Sequence, residues 1–259
     1  VLGVIVILFA MGVAETYLSR VKIGATIVVT YIIGLSSGLT LCYLFQHFSM
    51  AWRTLSVMSL SLGPGILIIG PFMAAGAALS PLWRRRLYIF TYALISVDLL
   101  YRGEPIDYAL LVGAFVGQAC GFMFVRQDVS DFVVEPAEAS EVWNILGIIT
   151  AITGLGPLVS ATSPIHAGPL STIGLLLSPA QEDFGAVARC MHGAKRIDCY
   201  AHYGIIRAHN PSLVAVSALA LVAILIIAWG IYRGRRTAVN IAIAWNAAEI
   251  ILAVIDYFL

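Results

Sequence analysis

Four polar residues stand out inside stretches that are largely apolar. Asn246, Glu249 and Asp256 recur at intervals of three and seven residues in the run 237–258, so with Ala253 they share one face if that run is helical. Asp98 lies in a second apolar run, 86–101. Glu249 would sit about 18 Å along its helix from Thr237, near the middle of a bilayer, at roughly 1.5 Å per residue. An ionisable group there costs at least ~2.5 kcal/mol and marks either a functional contact or a helix-to-helix pair. Such an acidic face suits a cationic headgroup. The alternative is that Glu249 is protonated, or pairs with Gln118 or Asp98 to hold helices together, and the residues alone leave these readings open.

Other residues offer different chemistry. Cys190 and Cys199 close the short sequence Cys-Met-His-Gly-Ala-Lys-Arg-Ile-Asp-Cys, which predicts a disulfide if the segment faces an oxidising compartment. The competing reading is a metal site with His192, His202 and His209, but the spacing fits no standard zinc pattern, so no metal is expected. Gly34-Leu-Ser-Ser-Gly38 imitates the Gly-x-Ser-x-Gly nucleophile pattern. That pattern acts at a strand-to-helix elbow, whereas here it falls within an apolar run, and Ser36 and Ser37 read as small packing residues. Cys42 and Cys120 read as apolar packing residues as well. No catalytic residue and no cofactor site is expected in these 259 residues.

The elements that must position these groups are membrane helices. Hydrophobic residues make up 60% of the chain and charged residues 11%, with a mean hydropathy of +0.93, far outside soluble composition. At about 20 apolar residues per crossing, eight spans are expected: 1–18, 23–45, 60–80, 86–101, 106–125, 142–162, 211–232 and 237–258. The fold class is therefore an all-α polytopic membrane protein. Ile165 to Leu177, with Gly168, Pro169 and Gly174, is too short to cross and reads as re-entrant or interfacial. Gly113, Gly117 and Gly121 make a smooth stripe for close helix packing.

If the first span runs inward, Arg20, Lys22, Arg84, Arg85, Arg86, Arg126, Arg233, Arg235 and Arg236 fall on one side, which the positive-inside rule makes cytoplasmic. The loop 163–210 then lies outside a cell membrane crossed several times. Residues 127–141 hold Asp128, Asp131, Glu135, Glu138 and Glu141 and read as an acidic cytoplasmic linker, or as a contact for a basic cytoplasmic domain. A net charge of +1 leaves no basic face for nucleic acid. The chain starts without Met and stops at Leu259, both inside apolar runs, so a longer polypeptide is expected.

Three segments resemble the signature helices of rhomboid intramembrane proteases in order and rough spacing: Met11-Gly-Val-Ala-Glu-Thr-Tyr-Leu18, Leu62-Gly-Pro-Gly65 and Leu110-Leu-Val-Gly-Ala-Phe-Val-Gly117. The resemblance gives Glu15 a structural role, accepting hydrogen bonds from a neighbouring loop. Leu62 stands where a rhomboid carries its serine and Leu110 where it carries its histidine, so neither nucleophile nor base is present. With Leu82-Trp-Arg-Arg-Arg86, Leu99-Leu-Tyr101, Gly113 to Gly117 and Gly230-Ile-Tyr-Arg-Gly-Arg-Arg236, the chain also resembles the membrane portion of actinobacterial aminoacyl-lipid synthases related to the multiple peptide resistance factor.

That resemblance implies a rhomboid-like bundle over 1–126, the linker 127–141, and further helices over 142–259. A cytoplasmic domain that moves an amino acid from tRNA to lipid would lie beyond Leu259. It makes membrane lipids the partner, with Glu249, Asp256, Asn246 and Asp98 the residues expected to meet them. The membrane portion would bind or translocate lipid, with self-association as a further expectation. The other readings are a catalytically inactive rhomboid-like protein that holds client helices, and a subunit of a membrane transport or assembly complex.

Overall fold

The computed structural model describes residues 2–45, 65–128, 139–162, 168–170 and 211–258. These residues are helical throughout except at turns, with no strand among them. The helices are α1 (Leu2–Tyr17), α2 (Arg20–Phe45), α3 (Gly65–Gly76), α4 (Pro81–Tyr101), α5 (Pro105–Asp128), α6 (Ala139–Thr153), α7 (Gly156–Thr162), α8 (Pro211–Tyr232) and α9 (Arg236–Phe258). Four stretches are long and apolar enough to cross a membrane: Arg20–Leu41, Pro105–Phe124, Glu141–Ser160 and Ala215–Tyr232.

Helix boundaries follow local chemistry. Ser19 and Ser80 precede the first turns of α2 and α4, where their carbonyls accept from the Ile23 and Arg84 N–H groups at 3.0 and 2.9 Å. Pro81 and Pro105 occupy first helical positions, where a missing N–H costs nothing. As a result α4 begins five residues before the expected apolar span and carries Arg84, Arg85 and Arg86 within it. Charge ends an apolar run without ending a helix. The expected span 142–162 is broken by a turn at 154–155 into α6 and α7.

The chain divides into two compact units. The first holds α1, α2, α3, α4 as far as Ile95, and α5. There α5 packs on α2 and α3, and α3 also packs on α1 and α2. The glycine stripe on α5 makes the closest approach: a Cβ at Gly117 would lie 2.7 Å from the Gly70 Cα, and one at Gly121 2.7 Å from the Ala74 Cα. Gly34 and Gly38 of α2 meet α5 near Ala109 in the same manner. Ser36 is exposed and bonds the Ile33 carbonyl at 3.0 Å, and Ser37 bonds that of Gly34 at 2.7 Å, which suits local packing rather than a nucleophile.

Leu110 packs with Met73, Tyr88 and Ile95 and touches Gly65 at the start of α3. Glu15 is exposed and lies 3.6 Å from Arg20. Leu62 and the acidic segment 129–138 are outside the described residues.

The second unit holds 96–104 and α6 to α9. Its helix α8 packs on α6, α7 and α9. Ile231, Ala238 and Ala242 form a core with Trp143, Ile227 and Val239. The end of α4 thus groups with the later helices.

Gly117→Val should overpack the seam between α3 and α5 and destabilise the protein by about 1–3 kcal/mol. Gly24→Val, where a Cβ meets nothing within 4 Å, serves as its control. A thermal melt in detergent should show an early transition for the first variant alone.

Candidate functional site

The second unit turns a carboxylate inward from an apolar helix. Between Ile243 and Ile251 on α9 every residue is exposed except Glu249, which is 8% exposed. Its neighbours Ile243, Ile250 and Ile251 face outward instead. This inversion of the soluble pattern is what lipid surroundings favour, because hydrocarbon solvates isoleucine and not carboxylate.

Glu249 is held by two donors on one oxygen. The Trp245 Nε1–H donates to Oε1 at 2.7 Å from one turn earlier on α9, and the Tyr101 hydroxyl donates to the same atom at 3.2 Å. Both donors are neutral, and no cation pairs with Glu249 among the described residues. The carboxylate therefore keeps its capacity to meet a positive ligand.

Tyr101 is placed by the way α4 ends. Gly103 adopts a φ of 65°, and the Asp98 carbonyl takes the N–H groups of Arg102 and Gly103 at 2.8 and 3.3 Å. The chain turns away and frees the carbonyls of Leu100 and Arg102, which accept from the Leu170 and Gly168 N–H groups at 2.9 and 3.0 Å. A Cβ at Gly168 would collide with the Leu100 carbonyl, and one at Gly156 with the Tyr101 ring. With glycines pressed against it, Tyr101 is 2% exposed and its hydroxyl is aimed at Glu249. Beside it Arg102 pairs with Glu104 at 2.6 Å.

Of the expected residues, Glu249 is the one the structure builds into a buried site. Asp98 is half-buried on the last turns of α4, and Asn246 is exposed and donates to the Ala242 carbonyl at 2.8 Å. Glu249 pairs with neither Asp98 nor Gln118; Gln118 instead accepts from the Tyr92 hydroxyl in the first unit. The Asp256 side chain, Cys190, Cys199, His192, His202 and His209 are outside the described residues. Of the expected re-entrant segment, 168–170 is described, and it lies against the end of α4. No metal-binding group of residues occurs among the described ones.

Sequence reasoning missed Tyr101 and Trp245. Trp245 stands four residues before Glu249 and was within reach of helical periodicity. Tyr101 is 148 residues away in sequence, and no periodicity spans that distance.

The described residues define a helical membrane protein with a buried carboxyl group. No family model matches the chain, and no solved structure matches it. It is similar to an uncharacterized protein of Corynebacterium glutamicum, with 23% identity over 242 residues, covering 92% of this chain and 30% of that protein. The chain thus spans under a third of the length of the relative it matches.

Tyr101→Phe and Glu249→Leu should each destabilise by about 1 kcal/mol or more, and the double variant by less than the sum. Strict additivity in a double-mutant cycle of thermal stability would mean that no bond joins them.

Proposed function

We propose that these residues form a non-proteolytic membrane domain that binds or translocates lipid, within an aminoacyl-tRNA-dependent lipid aminoacyltransferase or flippase of the cell membrane. In this reading the chain crosses the bilayer eight times and the transfer chemistry belongs to another part of the polypeptide.

The observation that carries the reading is Glu249, buried in an otherwise outward-facing apolar helix and held by the neutral donors Tyr101 and Trp245. An aminoacyl ester on a lipid bears a free ammonium. A carboxylate with no resident cation is a fitting counter-charge for it, and the surrounding isoleucines suit acyl chains. By the positive-inside assignment α9 enters from the cytoplasmic side, and Glu249, about 20 Å from Arg236 at roughly 1.5 Å per residue, sits near the middle of the bilayer. The much longer Corynebacterium relative leaves room in that protein for a further domain.

Glu249→Gln keeps the shape and removes the charge. Lipid mass spectrometry of cells carrying this variant should show a severalfold fall in aminoacyl-lipid, or in its outer-leaflet share, while the protein remains folded and inserted. An unchanged lipid profile would remove the reading and favour a client-binding role, which makes no demand on Glu249.

A further inference from the structure

The turn between α8 and α9 presents three arginines within four residues, Arg233, Arg235 and Arg236, all exposed. They follow directly on the apolar stretch Ala215–Tyr232, whose mean hydropathy is 2.4. At that junction Trp229 and Tyr232 are 58% and 55% exposed, and their rings stack at 5.9 Å between centroids. The Arg233 guanidinium lies 5.1 Å from the centroid of the Trp229 ring. Gly234, at a φ of 70°, reverses the chain, and nothing lies within 4 Å of where its Cβ would be, so the turn is open on that side.

Each part suits one layer of a membrane surface. Aliphatic residues belong in the hydrocarbon, Trp and Tyr at headgroup level, and guanidiniums among the phosphates. A guanidinium presents a planar fork of N–H donors that matches two phosphate oxygens, and stacking on a ring restricts the side chain beforehand. The basic residues of the first unit are placed differently. Lys22, Arg84 and Arg86 also lie over rings, those of Phe124, Phe122 and Trp83, but they are half-buried, and Arg84 and Lys22 have further partners.

We infer that the turn joining α8 and α9 is a docking site for the phosphodiester headgroup of an anionic phospholipid, gripped by Arg233, Arg235 and Arg236 above the Trp229 and Tyr232 rings. The site is separate from Glu249 and does not depend on what that residue does.

The test is native mass spectrometry of the full-length protein released from nanodiscs of mixed phosphatidylglycerol and phosphatidylcholine. Wild type should retain phosphatidylglycerol preferentially, and R233Q/R235Q/R236Q should lower that preference by about tenfold. Two further variants keep the positive charge that orients the helices: Trp229→Ala, and R233K/R235K/R236K, each with a severalfold loss expected. Glu249→Gln should retain the wild-type preference, so failure here and failure of the lipid-translocation reading are told apart. Wild-type preference in Trp229→Ala and in the glutamine variant would overturn the assignment. Should the glutamine variant fail to insert, wild-type preference in both charge-retaining variants would do so. Exchange of the lipid for a short RNA at physiological salt would overturn it as well.

Discussion

In hydrocarbon the hydrophobic effect cannot tell the inside of a helix bundle from the outside, and that constraint shapes both units. Large apolar side chains such as Ile32, Phe115, Leu219 and Ile226 face outward, so apolarity does not choose the packing faces. Two other forces choose them. In the first unit it is van der Waals contact where glycine lets backbones meet, with Gly117 on Gly70 and Gly121 on Ala74. In the second, small residues also let helices meet, Gly147 against Ala228 and Gly230 against Ala238, and hydrogen bonding to a carboxyl group that hydrocarbon would not solvate adds the contact between α9 and the end of α4.

Threonine shows the two forces meeting. Thr26 and Thr30 are fully buried, and their hydroxyls donate back to their own helix, Thr30 to the Thr26 carbonyl at 2.6 Å. The polar atom is thereby satisfied locally, and the residue serves as a compact surface against Gly70. Glu249 has no such local solution beyond Trp245 and must reach another segment for Tyr101. That need ties the end of α4 to α9 and holds the carboxyl group at a defined point.

The ends of the helices follow a third rule, set by water and headgroups. Basic residues lie over aromatic rings in both units, and at the turn joining α8 and α9 the guanidiniums are exposed together. Glycines at positive φ, Gly103 and Gly234, end α4 and α8 and turn the chain sharply. The first of these turns frees the carbonyls that hold 168–170 against Tyr101, so a backbone property of one residue governs how the buried phenol is aimed.

The sequence by itself determined the helical class, the membrane setting, the glycine stripe on α5 and the exceptional position of Glu249. Each follows from composition or from a period of 3.6 residues, which are local quantities. It also placed Asn246 and Glu249 on related turns, yet the structure exposes one and buries the other. Helical boundaries were less legible, because caps such as Ser80 with Pro81 overrode the charge at Arg84 to Arg86. Tertiary structure alone decided that Tyr101 would meet Glu249, that Gly156 would press on its ring and that Gly168 would press on the backbone of Leu100 and Tyr101. Those pairings join residues far apart in sequence, and steric fit between packed segments selects them, which no periodicity encodes.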